Sequence, residues 1–287
     1  MRSIERSLTL FRHRFIPAQR RLDPITLLEW SARAGYAARG VVYLGLGGVV
    51  LLAAADLAPR AQGARDLLAA WAKWPIGLVL IAAVACGLSG FALWRGLQAI
   101  FDADRHGKTP KAFAVRLGQA VSGVVYAALA FSAFELLDVF EDFGEADEGE
   151  SPQALAAQLL SLPHGDLLLL AAGGVLLAVG VGNVLQGLMQ DFGKRLSCSE
   201  RVCRRVVLLG RAGYVARGLA TLPAGVFLIR AGWETQSSEV RSWADALQVI
   251  EERPMGAWLL GVIALGLLAF GAFGFVEAAF RRIQPNA

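Results

Sequence analysis

The sequence predicts an all-α, polytopic membrane protein with six transmembrane helices, built as three tandem helical-hairpin repeats with pseudo-threefold symmetry. Three observations predict it. Apolar residues make up 55% of the 287-residue chain and charged ones only 18%, with a mean hydropathy of +0.49; a soluble domain carries about a quarter charged residues. The apolar excess is gathered into six blocks, each at or above the roughly 20 residues that a helix needs to cross the hydrocarbon of a bilayer. The blocks also repeat in pairs. This composition excludes a soluble enzyme and a disordered chain, and three cysteines are too few for a disulfide scaffold.

The six spans are 33–55, 75–100, 116–138, 164–190, 209–231 and 255–280. Their runs are continuous and lack the period-two alternation of a membrane barrel, so each reads as a helix. No cleavable leader is visible, and span 1 serves as the insertion signal. Orientation follows from the basic residues. The segments 1–32, 101–115, 191–208 and 281–287 hold 16 Lys/Arg, against five in 56–74, 139–163 and 232–254. Both termini are therefore expected in the cytoplasm of a bacterial cell, with the chain in the cytoplasmic membrane. The net charge of +4 reports this asymmetry and not nucleic-acid binding.

Internal repeats set the architecture. Span 1 opens with Arg33-Ala34-Gly35-Tyr36-Ala37-Ala38-Arg39-Gly40 and span 5 with Arg211-Ala212-Gly213-Tyr214-Val215-Ala216-Arg217-Gly218, identical at seven of eight positions. Span 3 carries a weaker copy: Arg116, Gly118, Ser122 and Gly123, then Tyr126 where the first copy has Tyr43. Each even span begins Pro-x-Gly (Pro75/Gly77, Pro163/Gly165, Pro254/Gly256), and 23 residues after each proline stands a polar side chain: Gln98, Gln186, Glu277. The units are repeat 1 over 23–108, repeat 2 over 109–196 and repeat 3 over 197–287, after a basic amphipathic segment 1–22. With two spans each, the units keep one orientation and are related by an axis along the membrane normal. The middle unit is expected to fit least well.

Shorter elements are signalled by caps. Asp23-Pro24, Thr109-Pro110 and Ser197-x-x-Glu200 start spans 1, 3 and 5 two or three turns inside the cytoplasm. The linkers (Ala64–Trp71, Ser151–Leu155, Val240–Leu247) read as short interfacial helices with Trp71, Trp74 and Trp243 at headgroup depth. Ile4, Leu8, Phe11 and Phe15 share one face of a basic helix over 3–16, suited to the anionic inner leaflet.

With these motifs in place, the chain resembles the bacterial integral membrane proteins of domain-of-unknown-function family 1206. The resemblance rests on the Arg-x-Gly-Tyr-x-x-Arg-Gly openings, the Pro-x-Gly re-entries and the three two-span units, and covers about residues 28–283. The middle unit departs, with Gln119 for the tyrosine and Ser122 for the second arginine. The resemblance implies a fold and a membrane location, and no activity.

Few polar groups remain to carry function. Arg33, Arg116 and Arg211 stand at the inner boundary and are read as lipid-headgroup anchors. Arg39 and Arg217 lie six residues, about 9 Å, further in. With Ser122, Gln98, Gln186 and Glu277 they form a candidate polar vestibule near the axis, in which Glu277 pairs with Arg39 or Arg217; interhelical packing bonds are the plainer alternative. Glu135 and Asp138 begin an acidic stretch through Glu150, read as a solvated loop. Cys198 and Cys203 are expected as reduced thiols, and no metal, cofactor or catalytic constellation is predicted. The abundant span glycines argue for close helix packing.

The expected role is a structural or interaction bundle, not an enzyme, with membrane lipids as partners and a membrane-protein partner or small solute unidentified. The alternative is a small-solute transporter or channel. The plan is similar to that of mitochondrial carriers, but the odd spans lack their proline–acid–basic signature.

Overall fold

The computed structural model describes residues 24–58, 63–102, 107, 109–141, 152–196 and 200–281. The basic segment 1–22, the acidic stretch 142–150, Ser151 and the Ser197 capping box lie outside the described residues. Among the described residues nine α-helices follow in order: α1 (Pro24–Ala54), α2 (Ala64–Ala72), α3 (Pro75–Phe101), α4 (Pro110–Glu141), α5 (Pro152–Ser161), α6 (Gly165–Met189), α7 (Glu200–Glu234), α8 (Trp243–Glu251) and α9 (Gly256–Phe280). Two 3-10 turns intervene, and no strand occurs among the described residues beyond an isolated bridge between Leu196 and Arg281. Among the described residues six helices are long and apolar enough to cross a membrane. These are spans 1 to 6, namely α1, α3, α4, α6, α7 and α9.

The odd spans run 31, 32 and 35 residues, longer than a bilayer needs. The extra turns lie at their starts, where the hydroxyl of Thr109 accepts from the Ala112 amide at 3.2 Å as an N-cap. At the opposite face the linker helix α8 starts with a reciprocal capping box between Ser242 and Asp245.

The Pro-x-Gly motif has a steric reason. In each unit the chain turns from the linker helix into the even span so tightly that a Cβ on the glycine would collide with a backbone oxygen six residues earlier: Trp71 for Gly77, Leu159 for Gly165, Ile250 for Gly256. The same amide bond closes each turn, from Gly77 to Trp74, Gly165 to Leu162 and Gly256 to Arg253. In the second and third units the residue between proline and glycine is left-handed, with φ of 62° at His164 and 63° at Met255. Only the first unit has its proline as the first helical residue.

Spans 1 and 2, 2 and 3, 4 and 5, 5 and 6, and 6 and 1 pack against each other. Spans 3 and 4 do not. The spans therefore form a ring in chain order that is opened inside the middle unit. Three equivalent glycines mark the seams between units. Gly123 meets Ala92 and Arg95, Gly218 meets Gly180 and Val184, and Gly40 meets Gly271 and Phe275. Within units the equivalence is equally close. Gly35 abuts Phe91 as Gly213 abuts Phe270, and Gly87 abuts Ala34 and Ala38 as Gly266 abuts Ala212 and Ala216. Repeat 1 and repeat 3 are thus built on the same contacts.

The linker helices pack against the spans and roof the ring. Leu67 and Leu68 of α2 and Leu247 of α8 are buried, and α2 sits over span 1 at Gly45. Each linker also reaches the next unit: α2 touches span 3, Gln153 of α5 donates to the Val240 carbonyl at 2.8 Å, and Leu247 joins Val50 of span 1 in one core cluster. Accordingly, Trp71 and Trp243 are half-buried and pack on the core, and only Trp74 of the three is exposed.

Candidate functional site

One face of each odd span carries the same three positions: Tyr36, Arg39, Tyr43 in span 1; Gln119, Ser122, Tyr126 in span 3; Tyr214, Arg217, Thr221 in span 5. Steps of three and four residues hold them on one stripe. The stripes converge. The Arg217 guanidinium carbon lies 5.5 Å from the ring centre of Tyr43, 6.0 Å from that of Tyr126 and 5.1 Å from that of Phe270. Arg39 lies over Tyr36, Phe91 and Phe270 at 5.1, 5.2 and 4.8 Å. The two arginines thus share the Phe270 ring. An aromatic face attracts a guanidinium by about 2 kcal/mol or more when both are desolvated, which offsets part of the cost of burying the charge.

Arg39 is fully buried and donates through one terminal nitrogen to Glu277. The other carboxylate oxygen of Glu277 accepts from Arg281 at 2.5 Å, and the Arg281 guanidinium lies 4.8 Å from the Tyr36 ring centre. Glu277 is therefore divided between two arginines and is not a partner of Arg217. The Nε and one terminal nitrogen of Arg39, and the hydroxyls of Tyr36 and Tyr126, are buried without a hydrogen-bond partner. The Arg217 guanidinium makes no hydrogen bond or ion pair among the described residues. In span 2, Arg95 donates to Gln98 at 3.2 Å and stacks on Phe91. Arg39 and Arg281 thus share the Glu277 carboxylate, with Arg95 on Gln98 and Arg217 on the Phe270 ring beside them.

The six candidate vestibule residues are partly brought together. Arg39, Glu277 and Arg217 form one cluster through Phe270, and Gln98 is buried beside Arg95. Ser122 is half-buried on span 3, and Gln186 is half-buried on span 4, which packs on span 5. Tyr36, Gln119 and Tyr214, one turn nearer the starts of the odd spans, are all buried.

Two of the three boundary arginines cap helix ends. Arg33 donates to the carbonyls of Ala278 at 2.6 Å, Ala279 at 3.0 Å and Arg281 at 3.3 Å. Arg116 donates to those of Ala99 at 2.7 Å and Ile100 at 2.8 Å. These are equivalent positions at the ends of spans 6 and 2. The last carbonyls of a helix lack intrahelical donors and carry the negative end of its dipole, so a cation there satisfies both. Arg211, by contrast, is exposed and makes no such bond. It lines an open hollow of about 370 Å³ with Asp191, Cys203 and Arg204.

Several site residues escaped the sequence. Arg95, Arg281 and the rings of Tyr36, Tyr43, Phe91, Tyr126 and Phe270 were not singled out as one site. Phe91 and Phe270 both stand 16 residues after their prolines, a repeat signal that could have found them. Cys203, expected as a thiol, is disulfide-bonded. No group of three or more His, Cys, Asp or Glu able to hold a metal ion occurs among the described residues.

Comparison with known proteins agrees with this architecture. The model of the family described as Domain of Unknown Function (DUF1206) matches three tandem segments, 34–102, 117–190 and 212–281, one for each pair of spans. The chain is 28% identical over 254 residues to the uncharacterized protein YxxB of Bacillus subtilis strain 168, covering 88% of this chain and 90% of that protein. No solved structure matches. The chain is an integral membrane protein of unknown activity and belongs to the DUF1206 family.

Proposed function

We propose that the protein is a non-enzymatic scaffold of the bacterial cytoplasmic membrane, with both termini cytoplasmic, whose open side engages lipid or another membrane protein. One observation carries this reading. Spans 3 and 4 fail to meet, and only 22% of each is buried, against 39–44% for the other four spans. The closed side is already complete by glycine contacts, so the open side is where further packing has room. Basic loops at one face support the orientation, and they suit the anionic headgroups of the inner leaflet. Repeat limits of 23–108, 109–196 and 197–287 accompany this reading.

Topology is tested with reporter fusions: those after 108, 195 and 287 should report cytoplasm, those after 62, 147 and 237 the exterior. One reversed pair would remove the orientation. A transporter is the second reading, favoured by Arg217, which has no acid partner among the described residues. Accessibility of introduced cysteines along spans 1, 3 and 5 separates the two. A scaffold labels only at span ends, whereas a solute pathway labels a stripe that reaches Arg217 from one face.

A further inference from the structure

The centre of the ring has an excess of donors and positive charge that Glu277 does not meet. Of its two oxygens, one is engaged by Arg39 and the other by Arg281. Among the described residues that leaves Arg217 without an acid and two nitrogens of Arg39 without an acceptor, beside the facing hydroxyls of Tyr43 and Tyr126. At the third equivalent position the middle unit has the short side chain of Ser122 in place of an arginine. Ser122, Arg217 and Tyr43 are only half-buried although they lie well inside their spans, so space reaches them.

We propose that this position is a binding site for a small oxyanion, a phosphate or carboxylate group. The Arg217 guanidinium and the hydroxyls of Ser122 and Tyr126 hold it, in the field of Arg39. The chemistry favours an oxyanion over a halide. A guanidinium presents paired N–H donors in a planar fork that fits two oxygens, and hydroxyls add neutral donors at the same oxygens. In a low-dielectric interior an unneutralised arginine is costly, and a single anion relieves the charge and the unmet donors together. The anion has two sources: free in the aqueous phase, or the headgroup of a lipid entering where spans 3 and 4 stand apart.

The test uses the full-length protein purified in neutral detergent. Inorganic phosphate is titrated against chloride at matched ionic strength, and thermal unfolding is followed. A ligand bound only to the folded state raises Tm with the logarithm of its concentration above its Kd. Wild type should show that rise. Arg217→Gln and Ser122→Leu, which fills the space and leaves every arginine in place, should not, while Tyr126→Phe weakens the response and Arg230→Gln at the other face leaves it intact. A second arm compares nanodiscs of phosphatidylcholine with and without phosphatidylglycerol. Stabilisation by phosphate in detergent assigns the free anion; stabilisation only by phosphatidylglycerol, lost in Ser122→Leu, assigns the lipid. No stabilisation in either arm overturns the site. So does a rise that persists unchanged in both Arg217→Gln and Ser122→Leu, because the anion then binds elsewhere. If Arg217→Gln does not fold, Ser122→Leu decides alone.

Discussion

The seam between spans 1 and 6 and the gap between spans 3 and 4 stand on opposite sides of the same ring and at opposite extremes of packing. At the seam, Gly40, Gly271 and Gly274 let two backbones touch, so that a Cβ on any of them would press on backbone atoms of the other helix. On the two spans that flank the gap, Gly118 of span 3 and Gly174 and Gly182 of span 4 have nothing within 4 Å of an added Cβ, as also do Gly48 of span 1 and Gly96 of span 2. Both regions are glycine-containing and apolar, and both descend from one repeated plan. Small residues therefore permit close approach without causing it. What locks the seam is its polar content: Glu277 holding Arg39 and Arg281, and Arg33 tied to the last carbonyls of span 6.

The largest expected effect tests that lock. Glu277→Gln leaves two buried guanidiniums without their carboxylate, and breaking a buried pair by removing one partner costs about 3–5 kcal/mol. Arg39→Gln added to it should restore part of the loss and not all, because Arg281 still lacks its acid. Arg217→Gln added instead should restore none of it through the carboxylate, since Arg217 does not touch Glu277. Thermal unfolding of the single and double variants measures this. Equal rescue by the two arginine changes would break the assignment of Arg39 as the partner.

Next in size are the glycines. Gly271→Ala and Gly218→Ala force apart backbones already in contact, and overpacking of this kind costs about 1–3 kcal/mol. Gly174→Ala and Gly182→Ala meet open space and replace a poor helix former by the best one, so they should leave stability unchanged or raised by a few tenths of a kcal/mol to about 1 kcal/mol. Gly123→Ala is the intermediate case, because its nearest neighbours are Arg95 Cβ at 3.3 Å and the backbone of Ala92 and Gly96 at 3.5 and 3.6 Å, contacts that are tight but not colliding. A destabilised Gly174→Ala in lipid, with a stable one in detergent, would show that a membrane component occupies the open side.

The sequence carried the six spans, the three units and the repeated motifs, because span length and repeat spacing are properties of consecutive residues. The gap was not visible. Spans 3 and 4 are as apolar as their neighbours, with mean hydropathies of 1.8 and 2.2, and hydropathy does not distinguish a lipid-facing side chain from a helix-facing one. The Pro-x-Gly motif was legible as a pattern, whereas its cause, the carbonyl of Trp71, Leu159 or Ile250 against the glycine, needed coordinates. At the centre, Arg39 and Glu277 stood out because charges are rare in spans. Arg281 did not, since an arginine at a span end reads as a headgroup ligand whether it meets a phosphate or a buried glutamate. The same ambiguity hid the capping role of Arg33 and Arg116.

That ambiguity yields the smallest and sharpest test of the comparison, because one motif position has three different surroundings. Arg33 satisfies three carbonyls at the end of span 6 and also pairs with Glu29 at 2.7 Å. Arg116 satisfies two at the end of span 2, on the side of the ring that leads to the gap. Arg211 satisfies none. Hydrogen bonds from a charged donor contribute about 1.5–3 kcal/mol when shielded, and less where water or headgroups can replace them. Arg33 and Arg116 are part-buried, so Arg33→Gln and Arg116→Gln should each cost about 1 kcal/mol, with Arg33 the larger. Arg211→Gln should not move Tm at all. If the three were headgroup anchors, as their shared place in the motif suggests, all three variants would be nearly silent in detergent and would weaken together only in anionic bilayers. Graded losses in neutral detergent, in the order Arg33, Arg116, Arg211, therefore separate a helix cap from a lipid anchor without any lipid present.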